Sequence, residues 1–328
     1  MADGGGWSTI ESDAGVFTSL IENLGVKDVQ FEELLSLDAD SIRSLSPVYG
    51  VIFLFKYLRE TTQPTTTSST SSSQPPSGTY DTNPPPTLFF ASQTIQNACG
   101  TQAILSVILN NTTTSTSSPS PSTTPYPIPL GPALTSFKDF TTGFPPDLLG
   151  EALSNSEPIR TAHNAFARSS PFVDETIRQN QDEEGGDVYH FIAYTPINGQ
   201  LYELDGLQPH PISHGECERE QFPEKVIEVL RERIGRYPEG ETMFNLMAVV
   251  RDLRVGAGEI GDVEALEREE RKRRGWAWEN TLRRLNFVGF IGEVVKGVVG
   301  MKEGEGEGRF EEWVETAKGE TQKNLRRR

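Results

Sequence analysis

Between residues 7 and 60 the apolar positions first recur at helical spacing. They then close up into "YGVIFLFKYL" (49–58), an unbroken apolar and aromatic run that predicts a buried strand. "TMFNLMAVVRD" (242–252) reads the same way. In "VYHFIAYTPINGQLYELDGL" (188–207) two aromatic and β-branched runs flank Asn198-Gly199, the strongest short-range hairpin signal. Pairing 197 with 200 across that turn makes opposite positions sum to 397. The run from Ala103 to Leu109 is apolar on several faces, which predicts a helix buried on all sides, with Asn97 placed to cap its start. Residues 147–168 read as one helix with Pro158 near a helix start, and 221–236 as an acidic helix.

The pattern stops abruptly twice. "TTQPTTTSSTSSSQPPSG" and "TTTSTSSPSPSTTP" are Ser/Thr/Pro-rich and lack the apolar area that would offset the entropy of ordering them. We expect disordered insertions at about 61–86 and 111–128, on either side of the buried helix. A 19-residue polar connection, 169–187, precedes the hairpin, and loops of that length are usually functional or disordered. Beyond about 255 the chain turns heavily charged, then amphipathic in "NFVGFIGEVVKGVVG", then polar. It reads as an appendage, dividing the chain into 1–255 and a helical, partner-binding 256–328 with a mobile end.

Composition narrows the chemistry. Asp plus Glu outnumber Lys plus Arg 47 to 30, a formal charge of −17 that disfavours nucleic acid and suits a basic protein partner. Two cysteines are too few for a disulfide framework, which points to a reducing compartment. The first residues do not read as a signal peptide, and no apolar run approaches the roughly 18–20 residues of a membrane span. The residues imply neither a metal nor an organic cofactor.

The candidate chemistry lies in the buried helix. Cys99 falls in its first turn, where the positive end of the helix dipole favours thiolate. That field is worth about 0.3–1 kcal/mol, so a nucleophile there needs a basic partner as well. His190 lies inside the first hairpin strand. In the 397 register Ile192 faces Asp205, which makes His190 and Asp205 diagonal neighbours on one sheet face. The carboxylate can fix the imidazole tautomer while the other ring nitrogen takes the thiol proton. Gln93, six residues before Cys99, stands where a side-chain amide can donate to an oxyanion. His210 and His214 have no partner that the pattern supplies. The bland alternatives stay open on these residues alone: a core thiol, a structural histidine and a surface glutamine.

The segments "WSTIESDAGVFTSLIENLG", "YGVIFLFKY", "LFFASQTIQNACGTQAILSVILN", "LSNSEPIRTAHNAFAR", "VYHFIAYTPINGQLYELDG" and "EGETMFNLMAVV" together resemble the ubiquitin C-terminal hydrolases, papain-like cysteine peptidases of the ubiquitin system. They occur in family order over most of residues 7–252. The resemblance implies an α+β fold, a central antiparallel sheet surrounded by helices, with a helical C-terminal extension. It implies Cys99 as nucleophile, His190 as general base and then acid, Asp205 as its orienter and Gln93 as oxyanion donor. It also implies hydrolysis after the C-terminal glycine of ubiquitin, with 169–187 as the crossover loop above the site. The other reading is a ubiquitin-binding scaffold whose hydrolysis is weak or depends on a partner.

"RKRRGWAWENTLRRLNFVGFIGEVVKGVVG" resembles the extension of the proteasome-associated branch, which docks on a proteasomal ubiquitin receptor. Phe287, Phe290, Ile291, Val294 and Val298 would form the docking stripe. Packing back on the catalytic domain, self-association and lying on a membrane are the alternatives. "RKRR" reads as a nuclear signal or a solvated helix face, giving an expected location in cytoplasm and nucleus.

Overall fold

The structure is a computed structural model. It describes residues 6–56, 77–112, 126–167, 189–237, 243–285, 288–304 and 309–325. The segments expected as crossover loop (169–187) and as the middles of the two insertions lie outside the described residues.

In chain order the elements are α1 (Ala14–Asn23), β1 (Val29–Glu33), α2 (Ala39–Ser44), β2 (Val48–Lys56), β3 (Thr79–Tyr80), α3 (Cys99–Asn110), α4 (Pro132–Thr141), α5 (Pro146–Ser154) and α6 (Glu157–Asn164). There follow β4 (Tyr189–Ile197), β5 (Gln200–Leu204), β6 (Ile212–Glu216), α7 (Phe222–Ile234), β7 (Asn245–Arg251), α8 (Leu253–Ile260), α9 (Val263–Arg284), α10 (Val288–Gly304) and α11 (Arg309–Leu325). These fall into two compact units that divide after Arg284.

In the first unit seven strands form one sheet in the order β1-β7-β2-β4-β5-β6-β3, with every pairing antiparallel. The run read as a buried strand is β2, which lies between β7 and β4. Its residues Val51, Phe53 and Phe55 join the core cluster that holds Phe222, Val226 and Leu230 of α7. Ile52 joins the opposite cluster, with Phe17 of α1 and Ile104 and Ile108 of α3. Helices thus cover both faces, which is why β2 is apolar throughout rather than alternating.

The hairpin keeps the predicted register: Ala193 faces Leu204, Tyr194 faces Glu203 and Ile197 faces Gln200. Asn198 and Gly199 both have positive φ (51° and 76°), as a two-residue turn matched to strand twist requires.

Three boundaries differ from expectation. Residues 147–168 form two helices, with Pro158 opening the second, α6. Within the span expected as the first insertion, Thr79 and Tyr80 pair with β6, and Tyr202 Oη donates to Asp81 at 2.7 Å. At the two ends of the span expected as the second insertion, Asn111 and Ile128 are buried and joined by a 2.8 Å backbone bond.

A fourth difference concerns α9. The 255/256 division set it outside the catalytic core, yet it lies in the same compact unit as the sheet. Its cations meet the carboxylates of α1 and its surroundings. Arg283 binds Glu11 (3.0 Å) and Asp13 (2.9 Å), Arg273 binds Glu22 (2.8 Å) and Asp252 (3.0 Å), and Lys272 binds Glu32 (2.5 Å). Asp13 also caps α1, accepting from the Val16 N–H at 2.9 Å, so Arg283 supports the start of α1 through that cap. Lys272 and Arg273, two of the four residues of the basic run, are engaged here.

Gly15 lets α9 approach. A Cβ there would stand 2.5 Å from Cγ of Trp276, and Asn280 donates to the Gly15 carbonyl at 3.1 Å. Trp276→Ala should therefore destabilise the first unit by about 2 kcal/mol, below the range for a fully buried tryptophan because this ring is half-buried. Trp278→Ala, at a ring 65% exposed, should stay within about 0.5 kcal/mol. Urea unfolding of the two variants makes the comparison, and equal losses would refute the seating of Trp276.

The second unit comprises α10 and α11 among the described residues. On α10, Phe290, Ile291, Val294 and Val295 are exposed and Val298 is half-buried. Phe287 lies outside the described residues. No helix among the described residues is long and apolar enough to cross a membrane.

Candidate active site

A single turn of 3-10 helix, Gln96–Ala98, leads directly into α3, whose first residue is Cys99. Asn97 is not the cap that the pattern predicted. Its Nδ2 donates to the Trp7 carbonyl at 3.0 Å, pinning the N-terminal segment, and no side chain caps α3. The thiol nonetheless sits at the helix start, on a helix buried from Cys99 through Leu109.

The imidazole comes from β4. His190 pairs with Phe55 of β2, and the two rings meet edge to face with centroids 5.7 Å apart. Its Nε2 donates to Asp205 Oδ1 at 2.7 Å, and both residues are buried. This is the diagonal neighbour that the 397 register supplies. Asp205 is held in turn: the Leu207 N–H donates to its Oδ1 at 3.0 Å, and the Gln208 N–H to its carbonyl at 2.9 Å. With Nε2 committed, Nδ1 is the ring nitrogen left for the Cys99 side chain, which is a hydrogen-bond partner of His190.

Burial works against a charged imidazole, but Asp205, by its charge and its hydrogen bond, and then the Cys99 sulfur outweigh it. Together they lift His190 from 6.5 to about 9. At neutral pH the ring therefore holds a proton between a carboxylate and a sulfur.

Gln93 lies on the segment that precedes the 3-10 turn, and its N–H donates to the Gly206 carbonyl at 2.8 Å. The structure thus gathers all four sequence-predicted positions around the start of α3 and the end of β5. Among the described residues no cluster of His, Cys, Asp or Glu is arranged to hold a metal ion. Cys217, the other cysteine, is buried, and burial pushes its thiol up to about 11, the environment of an inert core sulfur.

The pattern missed the partners of the remaining histidines. His214 Nε2 meets Glu203 Oε2 at 3.0 Å, and Arg233 meets Oε1 of the same carboxylate at 2.6 Å. Burial raises Glu203, but the Arg233 charge and His214 outweigh it and hold the carboxyl at about 2. Arg233 also covers the Phe55 ring at 4.5 Å. The alternation of β5 places Glu203 and Asp205 on one face, a signal that could have found the first of these pairs. His163 is buried between Thr101 Oγ1 (2.7 Å) and the Ser8 carbonyl (2.6 Å), bonds that lock α6 to α3 and to the N-terminal segment. His210 packs edge-on against Tyr80.

The chain matches the family model described as ubiquitin carboxyl-terminal hydrolase, family 1, over residues 7–235. A second model, described as ubiquitin carboxyl-terminal hydrolases, matches residues 260–299. It is 48% identical over 296 residues to ubiquitin carboxyl-terminal hydrolase 2 of Schizosaccharomyces pombe, covering 88% of this chain and 90% of that protein. With ubiquitin carboxyl-terminal hydrolase ubh-4 of Caenorhabditis elegans it shares 36% over 315 residues, 90% of this chain and 88% of the other. Among solved structures it is similar to the UCH37 catalytic domain of Trichinella spiralis bound to ubiquitin vinyl methyl ester. That match has a TM-score of 0.58 and 36% identity, and covers 76% of this chain and 97% of that one. A buried thiol at a helix start, an imidazole–carboxylate pair beside it and these matches lead to one conclusion: the chain belongs to the ubiquitin carboxyl-terminal hydrolase family of deubiquitinating cysteine peptidases.

Proposed function

We propose that this protein hydrolyses the bond after the C-terminal glycine of ubiquitin, with Cys99 as nucleophile and His190 and Asp205 as its proton-transfer pair. The observation that carries the reading is the buried His190–Asp205 hydrogen bond of 2.7 Å, with Cys99 as the partner of the imidazole's other side. Cys99 Sγ attacks the glycine carbonyl while His190, already protonated at neutral pH, stands beside it as the acid. The tetrahedral oxyanion is met by the Gln93 amide and the Cys99 N–H. His190 then protonates the leaving amine, and the neutral ring takes a proton from water as the water oxygen attacks the thioester carbon, which breaks the C–S bond, frees ubiquitin and restores the sulfur beside a protonated imidazole.

Two surface features support a folded, basic-tailed substrate. The chain is strongly acidic. Leu35, 92% exposed, stands at the rim of a hollow of about 280 Å³ lined by Leu34, Phe53, Phe244 and Leu246, and Phe53 stacks on the Phe55 ring that touches His190. An apolar patch of ubiquitin seated there would bear on the aromatic wall of the site.

The extension recruits the enzyme to the proteasome through a ubiquitin receptor. The exposed apolar face of α10, interrupted by Gly292, Gly297 and Gly300, favours a partner over a free helix. The test is hydrolysis of a fluorogenic ubiquitin C-terminal amide, alongside retention on immobilised proteasome. The full chain should turn over the amide and be retained. A Phe290→Asp/Val294→Asp chain should keep turnover within about twofold and lose retention. Absence of turnover would refute the hydrolase reading, and undiminished retention of the double variant would refute the docking face.

A further inference from the structure

The residues from Phe89 to Gln93 belong to no helix and to no strand of the sheet, so their backbone groups must be satisfied elsewhere. Five of them find partners outside the sheet. Asn110, at the end of α3, accepts from the Phe89 N–H at 2.8 Å and donates to the Phe89 carbonyl at 2.9 Å. The Ser92 N–H donates to Pro146 O at 2.9 Å, and the Gln93 N–H to Gly206 O at 2.8 Å. Gln102, one turn after Cys99, donates its Nε2 to the Ala91 carbonyl. The segment that delivers Gln93 is thus hung on α3 by two amide side chains.

Gln102 does more than fill a gap. It is buried, and Gly206, the residue after Asp205, lies against its amide. A Cβ on Gly206 would stand 2.1 Å from Gln102 Nε2 and 3.0 Å from the Ala91 carbonyl oxygen. Three pieces of the site therefore meet at this one amide: the first turn of α3 with Cys99, the turn that follows Asp205, and the segment that carries Gln93.

We propose that Gln102 is a positioning residue that sets the placement of Gln93 relative to the Cys99 helix start, with Gly206 kept free of a side chain to leave room for its amide. The inference rests on the proposed roles of Cys99 and Gln93. Ala91 is two residues from Gln93, so releasing the anchor moves an oxyanion donor whose value depends on sub-ångström placement. The imidazole and its carboxylate are held by contacts that do not involve Gln102: the Phe55 ring, the bond between them and the Leu207 N–H.

Gln102→Met keeps the volume and removes the donor. Gly206→Ala pushes the same amide from the other side. Each is made in the full chain, alone and with Gln93→Ala, and is read by kcat and KM on the ubiquitin amide and by the rate of Cys99 alkylation with iodoacetamide, which needs no oxyanion donor. Gln93→Ala alone should lower kcat by roughly 10²–10³. Gln102→Met and Gly206→Ala should each lower kcat about tenfold with KM and alkylation unchanged, and by less than about twofold when Gln93 is already alanine. Equal losses in both backgrounds, a parallel fall in alkylation, or no change in kcat would overturn the proposal. If Gln93→Ala itself keeps full activity, the oxyanion role on which the proposal rests is what fails.

Discussion

Replacing Cys99 with alanine is expected to lower kcat on a ubiquitin C-terminal amide by on the order of 10⁶-fold, the loss seen when a nucleophile that works as a unit with its base is removed. Binding of ubiquitin itself should persist, since the surfaces proposed to hold it lie away from the sulfur. A second readout separates loss of a nucleophile from loss of a fold. The Cys99 sulfur helps lift His190 toward 9, after Asp205, so the variant's imidazole should titrate lower than in the native protein. The aromatic contact with Phe55 and the bond to Asp205 remain. A Cys99→Ala protein that turned over at more than about a hundredth of the native rate would sink the nucleophile assignment. One that no longer bound ubiquitin would show that Cys99 is structural as well.

How much of this was legible in the chain follows from the range of the interactions involved. The β4–β5 hairpin was, because two residues of turn fix the pairing of everything on either side, and 397 carries His190 to Asp205 without any knowledge of the rest of the fold. The burial of β2 and α3 was legible too, since apolar residues on every face leave no solvent side. What escaped was decided over long separations. Asn97 has the chemistry of a cap, but its amide finds the Trp7 carbonyl 90 residues away. The charged, weakly amphipathic α9 shows no apolar face of the usual kind. It is held by ion pairs to Glu11, Asp13, Glu22 and Glu32, and by one indole over Gly15, and none of these can be read from its own pattern. The bearing of Gln102 on Gly206 is likewise invisible locally, because it depends on a side chain that is absent.

Asp205→Asn carries the second large effect, and it is an effect with a sign. In the native protein burial lowers His190, but the Asp205 charge and hydrogen bond, with Cys99, raise it from 6.5 to about 9. A histidine raised on folding stabilises the folded state fully below its unfolded value near 6.5, and that contribution disappears as pH climbs through 9. A shift of this size in a buried group is worth about 3 kcal/mol. Native stability should therefore fall between pH 6.5 and 9 by an amount of that order, with the other titrating groups superimposed. In Asp205→Asn the carboxylate's charge is gone while burial is unchanged, so His190 should titrate below its native value and shed the slope in that window. The asparagine amide can also present an N–H to Nε2, which selects the tautomer that places the proton on the wrong nitrogen. The expected cost is about 10⁴-fold in kcat. Ring resonances of His190 followed by NMR across pH 5–10, with urea unfolding at pH 6 and pH 9, test both halves. If His190 still titrates near 9 in Asp205→Asn, or kcat stays within tenfold of native, the pair is not what holds the proton in this site.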